Sequence, residues 1–223
     1  ACIIPDIVLF VNGIPLVVAE CKKGSETCAN PMQEAFVQLQ RYMRRRKETE
    51  ASGLKEGEPR LFFSNLMLIR SCRLEADYGT LTSGEEHYYA WKTLYPQDDA
   101  LREGMNAQQL LIAGMLNKPN LLQILRTSSV FMDTDGGSRV KVVCRYQQFR
   151  AAGKIVERLR TGETASDRSG VVWHTQGSGK SMEMELYAHL VAQQPKLKNP
   201  TLVVVTDRNE LDDDNPDTLA VGF

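Results

Sequence analysis

The segment from residue 174 to residue 181, with the sequence HTQGSGKS, constrains the fold more than any other part of the chain. A short apolar run at residues 170–173 precedes it, and a helical pattern follows from Lys180. A glycine-rich turn between a strand and a helix lets backbone N–H groups converge on a phosphate, which the helix dipole also attracts. A second apolar run at residues 201–206 completes a strand–helix–strand unit. The sequence therefore predicts an α/β fold with a parallel sheet.

The side chains of this loop match the chemistry of a bound nucleoside triphosphate. Lys180 can reach the β- and γ-phosphates, and the hydroxyl of Ser181 can bind Mg²⁺. The general pattern has glycine at the first position, where this chain has His174. The other interpretation is a Gly/Ser turn with a solvent-facing lysine, but the flanking strand and helix favour ATP with Mg²⁺. Further phosphate contacts are predicted at Thr175, Gly177, Ser178 and Gly179.

The start of the chain predicts a β-hairpin. Two apolar runs, residues 7–11 and 14–19, are separated by the dipeptide Asn12-Gly13, which is the strongest short signal for a hairpin turn. The second run is apolar almost throughout, as is typical of a strand that is buried on both faces.

Charged residues lie at the open end of this hairpin. Asp6 precedes the first run, and Glu20 and Lys22 end the second, two residues apart and therefore on the same face of a strand. Two carboxylates and a lysine can hold Mg²⁺, orient a water and stabilise charge on a scissile phosphate. We therefore predict Asp6 and Glu20 as metal ligands and Lys22 as a neighbour of the attacking water. The alternative is a charged strand end that faces solvent.

A helix is predicted at residues 31–46 by apolar residues at helical spacing. Gln38 and Tyr42 lie one turn apart on one face of this helix. The basic residues at its end either are solvated or contact phosphate, and the sequence leaves both open. They are Arg41, Arg44, Arg45, Arg46 and Lys47.

An acidic, loop-like stretch at residues 96–103 is the best candidate for a domain boundary. Two further strands are expected before it, at residues 61–69 and 78–82. Three helices are expected after it, at residues 107–116, 119–127 and 146–160, with a turn at 133–137 and a polar loop at 161–169. The chain then divides into residues 1–98, a helical linker at 99–138, and residues 139–223.

The bulk composition excludes some classes of protein. The 223 residues carry a net charge of −1, so nucleic-acid binding would have to depend on local basic patches. The apolar runs are too short to cross a membrane. The five cysteines are scattered without a C-x-x-C pair, which argues against disulfides or a zinc site and favours the reducing cytoplasm.

The loop and its neighbours resemble the motors of superfamily 2 helicases. In such motors a segment like residues 145–152 (RYQQFRAA) places a glutamine on the adenine edge. Gln148 is the preferred candidate for this contact, and Gln147 is the alternative. Residues 203–213 (VVVTDRNELDD) resemble the strand and loop that face DNA in these motors.

The first part of the chain resembles PD-(D/E)xK nucleases of the RecB-like group. Asp6, Glu20 and Lys22 match the nuclease pattern. The Gln38/Tyr42 pair matches an additional motif, which implies that both side chains border the catalytic site and the DNA.

A RecB-like nuclease followed by a superfamily 2 motor resembles the restriction (R) subunit of type I restriction–modification enzymes. The resemblance implies a PD-(D/E)xK domain with a mixed sheet at residues 1–98 and the start of a RecA-like P-loop domain at residues 139–223. It implies cleavage and ATP-driven translocation of unmethylated double-stranded DNA. It also implies methylation and specificity subunits as partners, with S-adenosylmethionine held by the methylation subunit.

Two other functions share the same motifs. A helicase–nuclease of DNA repair would carry both sites without methyltransferase partners, and a non-catalytic remnant would only bind DNA or a partner. The first nuclease helix and the acidic motor residues are expected outside the 223 residues, so we expect this chain not to hydrolyse ATP by itself.

Overall fold

The computed structural model describes residues 3–24, 29–43, 57–134, 136–175 and 178–205. These residues form two compact units. The first comprises residues up to 125 together with 129–143, and the second comprises 126–128 together with the chain from 144 onward. The predicted linker from residue 99 thus belongs almost entirely to the first unit. The functional boundaries at residues 98 and 138 stay predictions.

A mixed four-stranded sheet lies at the centre of the first unit, in the order β1-β2-β3-β4. β1 and β2 are antiparallel, β2 and β3 are parallel, and β3 and β4 are antiparallel. Asn12 and Gly13 have φ values of 50° and 78°, as a tight hairpin turn requires, so the predicted hairpin is confirmed. The strands are β1 (Ile7–Val11), β2 (Ile14–Lys22), β3 (Met67–Cys72) and β4 (Glu75–Gly79).

Helix α1 (Pro31–Tyr42) packs against this sheet. Asn30 caps it by accepting a hydrogen bond from the Gln33 N–H at 3.1 Å. The predicted apolar stripe faces inward, because Leu39 is fully buried in a cluster with Val18 and Leu68. The helix ends at Tyr42, and the expected continuation over residues 44–46 lies outside the described residues.

The strand predicted at residues 61–69 is correct only for residues 67–69. A 3₁₀ helix, Pro59–Phe62, occupies the start of the predicted range instead, because the Glu58 side chain accepts a hydrogen bond from the Arg60 N–H at 3.2 Å. The apolar run therefore contributes the core side chains of Phe62 and Leu66 before it enters β3. β4 likewise begins earlier than the predicted strand at residues 78–82.

Short helices and a second hairpin complete the first unit. The helix predicted at residues 107–116 becomes a π-helix in its second half, where Gly114 lies so close to the chain that a Cβ would be 2.0 Å from the Thr93 carbonyl. The turn predicted at 133–137 joins two strands that the sequence analysis missed. These elements are the 3₁₀ helices Glu85–His87 and Asp99–Arg102, α2 (Ala107–Leu110), the π-helix Leu111–Met115, α3 (Lys118–Thr127), β5 (Ser129–Asp133) and β6 (Arg139–Val143). The last two residues of α3 fall in the second unit.

Two long helices organise the second unit. α4 (Tyr146–Thr161) and α6 (Lys180–Ala192) pack together through small and branched side chains. These are Ala152, Val156, Leu190 and Val191. The polar loop predicted at 161–169 contains the short helix α5 (Ala165–Arg168), which Thr164 and Asp167 cap reciprocally. The last described element is a 3₁₀ helix, Pro195–Leu197.

The two strands predicted beside the phosphate loop are not formed by the described residues, and this expectation is wrong for residues 170–173 and 201–205. Val171 and Trp173 are 90% and 89% exposed, and Val203 is 80% exposed. A β-strand is stabilised by hydrogen bonds and side-chain packing with a neighbouring strand. Within the described part of this unit neither run pairs with another strand, so the RecA-like sheet stays a prediction.

Among the described residues, no helix is both long and apolar enough to cross a membrane. The cysteines described there, Cys21, Cys72 and Cys144, are free thiols, in agreement with the expectation for these three residues.

Candidate active site and phosphate-binding loop

The hairpin brings the charged residues of the first unit together. The register pairs Ile7 with Ala19, and the Asp6 carboxylate accepts a hydrogen bond from the backbone N–H of Cys21 at 2.7 Å. Lys22 Nζ lies 2.8 Å from Glu20 Oε1. Asp6, Glu20 and Lys22 therefore meet at the end of β2, as their spacing predicted, while their roles stay predictions.

The carboxyl group of Glu20 is the most constrained part of this cluster. Glu20 is only 1% exposed, and burial raises its pKa, although the hydrogen bond from Lys22 opposes this shift and the nearby Asp6 charge adds to it. Its Oε2 atom is buried and accepts no hydrogen bond of normal geometry, although the Tyr42 hydroxyl lies near enough to lower the pKa of Glu20. Burying an unpaired carboxylate oxygen is costly unless a cation or a proton compensates it.

Gln38 and Tyr42 extend the cluster along α1. Lys22 Nζ donates to Gln38 Oε1, and Gln38 Nε2 donates to the Tyr42 hydroxyl. Tyr42 in turn donates to the carbonyl of Ile4 at 3.0 Å. This chain of hydrogen bonds fixes which end of the Gln38 amide faces Lys22. The predicted pair therefore contacts Lys22 through Gln38.

The ammonium group of Lys22 is held in its charged form. Burial alone would lower the pKa of Lys22, but the hydrogen bond to Glu20 and the charges of Glu20, Glu34 and Asp6 raise it overall. Glu34 Oε1 lies 3.9 Å from Lys22 Nζ. Lys22 is therefore a fixed positive charge beside the carboxylates of Glu20 and Glu34.

The donor set at Asp6 and Glu20 fits a magnesium ion. Mg²⁺ is commonly bound by one or two carboxylates and keeps several waters or substrate oxygens. Within the described ranges there is no cluster of three or more His, Cys, Asp or Glu side chains suited to a metal. A metal at this position would be bound by the carboxylates of Asp6 and Glu20, and this role stays a prediction.

Sequence reasoning missed Arg70, which lies beside Glu20 in the parallel register of β2 and β3. The Arg70 guanidinium is bound by Asp77 and by Glu85, each at 2.8 Å. It also lies 4.8 Å from the centre of the Tyr88 ring. The detectable signal was a charged residue within the apolar run of β3. Arg70 ties β3 to β4 next to the carboxylate cluster.

The predicted phosphate-binding loop of the second unit ends at Gly179, which caps α6 with a φ of 81°. A Cβ at this position would lie 2.5 Å from Gln148 Nε2. Lys180 Nζ donates to the carbonyls of His174 and Thr175 at 2.9 and 3.2 Å. Lys180 thus contacts the carbonyls at the beginning of the loop, while the predicted convergence of backbone N–H groups on a phosphate stays a prediction. Gly177 lies outside the described residues.

Gln148 contacts the loop directly. It is 2% exposed, and its Nε2 donates to the Gly179 and Ser178 carbonyls at 2.9 and 3.3 Å. Its Oε1 accepts from the Arg145 N–H at 2.8 Å. In this structure the amide holds the end of the loop, and the adenine contact predicted for Gln148, or alternatively Gln147, stays a prediction.

A further contact, between His174 and Glu183, was not expected from the sequence. His174 Nδ1 lies 2.9 Å from Glu183 Oε2, and the two side chains are 16% and 6% exposed. Burial raises the pKa of Glu183, while His174 and Lys180 lower it. The only sequence signal was that histidine replaces the first glycine of the loop pattern.

The remaining predicted contacts are less defined. Thr175 and Ser181 are exposed and Ser178 is buried. The guanidinium of Arg41 stacks on the Tyr42 ring at 5.9 Å. The other members of the basic run, at positions 44–47, and the predicted DNA-facing loop at 206–213 lie outside the described residues.

Comparison with known proteins covers both units. Residues 2–97 match the family described as "Type I restriction enzyme R protein N terminus", and residues 147–221 match the family described as "SWI2/SNF2 ATPase". The first match agrees with a nuclease-like N-terminal region, and the second agrees with the start of an ATPase motor. Together they define the class as type I restriction enzymes.

Curated relatives agree with this class. The type I restriction enzyme HindI endonuclease subunit of Haemophilus influenzae is 37% identical over 94% of this chain and 19% of its own length. The MjaIXP protein of Methanocaldococcus jannaschii, provisionally named as such a subunit, is 29% identical over 94% of this chain and 20% of its own length. The SauCOLORF180P endonuclease subunit of Staphylococcus aureus is 26% identical over 93% and 19%, respectively.

The chain belongs to the family of type I restriction enzyme endonuclease (R) subunits. It spans about a fifth of the length of the curated relatives it matches.

Proposed function

We propose that this chain is part of an ATP-dependent type I restriction endonuclease subunit that translocates and cleaves unmethylated double-stranded DNA. The observation that carries the proposal is the convergence of Asp6, Glu20 and Lys22 at one strand end, with a buried Glu20 oxygen that lacks a hydrogen-bond donor. Family membership supports the restriction function over other uses of the same chemistry.

The cleavage site would use each residue differently. Asp6 and Glu20 would hold Mg²⁺, which when bound supplies activation of a water and neutralisation of charge on the phosphate. Lys22 would keep its ammonium beside the attacking water, since Glu20 and Gln38 fix its position. Tyr42 would orient Gln38 and thereby Lys22.

The motor site would bind ATP at the curled loop. Lys180 would exchange its two carbonyl contacts for the β- and γ-phosphates, and Ser181 would bind Mg²⁺. The backbone of Thr175, Gly177, Ser178 and Gly179 would surround the phosphates. Gln148 supports this role because it fixes the carbonyls at the end of the loop.

The partners of the whole protein follow from the proposed family function. They are double-stranded DNA and the methylation and specificity subunits, with S-adenosylmethionine held by the methylation subunit. A DNA-repair helicase–nuclease would share both sites, but the matches to restriction subunits favour restriction. A catalytically inert remnant would retain the fold and lose both reactions.

The test uses the full-length subunit assembled with its methylation and specificity subunits. Unmethylated and methylated circular DNA are incubated with Mg²⁺ and ATP, and wild type is compared with Lys180→Ala. We expect cleavage of unmethylated DNA by wild type alone. Equal cleavage by both proteins would contradict a motor-fed nuclease and favour the repair-type function. No cleavage of either DNA by wild type would favour the remnant.

A further inference from the structure

The predicted phosphate-binding loop is attached at both of its ends by side chains of the second unit. At the far end, Gln148 Nε2 donates to the carbonyls of Ser178 and Gly179. At the near end, the imidazole of His174 reaches across to α6 and lies 2.9 Å from the carboxylate of Glu183. The segment that would surround the phosphates lies between these two attachments.

The His174–Glu183 contact joins the beginning of the loop to the first turn of α6. His174 Nδ1 and Glu183 Oε2 are both buried and lie 2.9 Å apart, although the geometry is not that of a hydrogen bond. Glu183 is 5% exposed and lies one helical turn after Lys180. Burying polar atoms without hydrogen bonds is costly, so the close approach of His174, together with the Lys180 charge, compensates the lost hydration of the Glu183 carboxylate.

The contact also helps to position the first turn of α6, where Lys180 lies. Lys180 Nζ is bound by the His174 carbonyl at 2.9 Å, so the same residue contacts the first turn of α6 through its backbone and through its side chain. A glycine at position 174, as in the general pattern, would have no side chain to make the second contact. The histidine therefore links the beginning of the loop to the helix that carries Lys180 and Ser181.

We infer that His174 and Glu183 act as a pair of positioning residues that hold the beginning of the predicted phosphate-binding loop against the first turn of α6. The inference rests on the proposed binding of ATP at this loop. Neither side chain is expected to touch the phosphates. The usual first glycine gives the backbone freedom at this position, whereas the pair provides a fixed side-chain attachment. Loss of the pair therefore weakens nucleotide binding through the loop.

The same helix offers a matched control. Glu185 and His189 are also one turn apart on α6, and the His189 charge acts on the Glu185 carboxyl group. Both are partly buried, like ordinary surface pairs of a packed helix. No hydrogen bond or ion pair described for them reaches residues 174–180, so their removal tests α6 without testing the loop.

The experiment measures binding of a fluorescent, non-hydrolysable ATP analogue with Mg²⁺ to the full-length subunit. The variants are His174→Ala, His174→Asn, Glu183→Ala, Glu183→Gln, the double alanine variant and the control Glu185→Ala/His189→Ala. Thermal unfolding of each nucleotide-free protein is recorded alongside. DNA-stimulated ATP hydrolysis gives kcat and KM separately.

We expect each single alanine variant to raise the Kd about tenfold and to lower kcat by up to about 100-fold, as a displacement of about 1 Å at a site can do. The double variant is expected to bind as weakly as either single variant, because the pair acts as one unit. His174→Asn and Glu183→Gln should bind close to wild type, since each amide keeps a polar partner for the contact.

The outcomes distinguish a failure of the positioning role from a failure of the proposed ATP site. Alanine variants that bind like wild type, or no worse than the control, would overturn the positioning role and leave ATP binding intact. Amide variants as weak as the alanine variants would overturn it as well, and they remain informative if the alanine variants do not fold. Wild-type protein that binds no nucleotide would refute the proposed ATP site itself.

Discussion

Glu20 shows how a single residue reveals a site through its unfavourable surroundings. Its carboxylate is buried with one oxygen bound by Lys22 and the other without a donor. A protein gains no stability from such an oxygen, because a buried unpaired polar atom costs about 1–3 kcal/mol. The arrangement is explained if the oxygen binds a cation during function.

Glu20→Gln is therefore expected to stabilise the metal-free subunit by about 1 kcal/mol at neutral pH. Because the folded-state pKa of Glu20 is raised, folding favours the protonated form, and wild-type stability is lost as pH rises through that pKa. The advantage of the variant should shrink toward pH values below about 4.3, the usual pKa of glutamate.

The measurement is thermal unfolding in EDTA across this pH range, with the exposed Glu34→Gln as the control. Added Mg²⁺ should raise the unfolding temperature of wild type and not that of Glu20→Gln. A variant less stable than wild type at pH 7 would show that the Lys22 ion pair outweighs the cost of the unpaired oxygen.

At the scale of secondary-structure elements, Gly179 determines how the loop enters α6. Gly179→Ala is expected to destabilise the second unit by about 1–2 kcal/mol through its left-handed conformation. It should also impair nucleotide binding, because the new Cβ would lie 2.5 Å from Gln148 Nε2.

Gly104→Ala provides the matched control for this change. Gly104 has a φ of 78°, and a Cβ there would meet nothing within 4 Å. Both variants should lose similar stability in thermal unfolding, whereas only Gly179→Ala should lose affinity for an ATP analogue. Equal nucleotide affinity in the two proteins would show that the contact between the new Cβ and Gln148 does not affect nucleotide binding.

Arg70 makes the corresponding link between strands in the first unit. Arg70→Ala is expected to cost about 3–5 kcal/mol in the free energy of unfolding, since it leaves the Asp77 carboxylate buried without its partner. Burial already raises the pKa of Asp77, although Arg70 lowers it, so removal of Arg70 should raise that pKa further.

Denaturant unfolding of the full-length subunit would measure this loss. The Arg60–Glu58 pair is the control, because its arginine side chain is 80% exposed and an exposed pair contributes little. If Arg70→Ala and Arg60→Ala were equally stable, the ion pairs of Arg70 would not hold β3 and β4 together.

At the scale of the whole molecule, the two candidate sites lie in separate compact units. Asp6→Ala should therefore abolish DNA cleavage and leave ATP hydrolysis unchanged, because it removes a proposed metal ligand of one unit only. Lys180→Ala should abolish ATP hydrolysis and, through lost translocation, cleavage as well. The assay measures both activities on the same DNA with the complete enzyme. Normal cleavage by Asp6→Ala would contradict the nuclease assignment.

Local sequence determined the hairpin, the convergence of Asp6, Glu20 and Lys22, and the glycine that caps α6. Each depends on neighbours in the chain: the Asn12-Gly13 turn sets the register, the two-residue period of a strand places side chains on one face, and only glycine easily adopts the conformation seen at residue 179.

Tertiary structure decided the rest, because the remaining contacts join residues far apart in sequence. The contact of Gln38 with Lys22 requires α1 to pack on β2, and the Gln148 and His174 attachments require α4, the loop and α6 to meet. The runs at 170–173 and 201–205 carry strand-like residues, yet a strand forms only where a neighbouring strand completes its hydrogen bonds. The sequence of such a run gives it a preference for the strand conformation, and packing decides whether the run adopts that conformation.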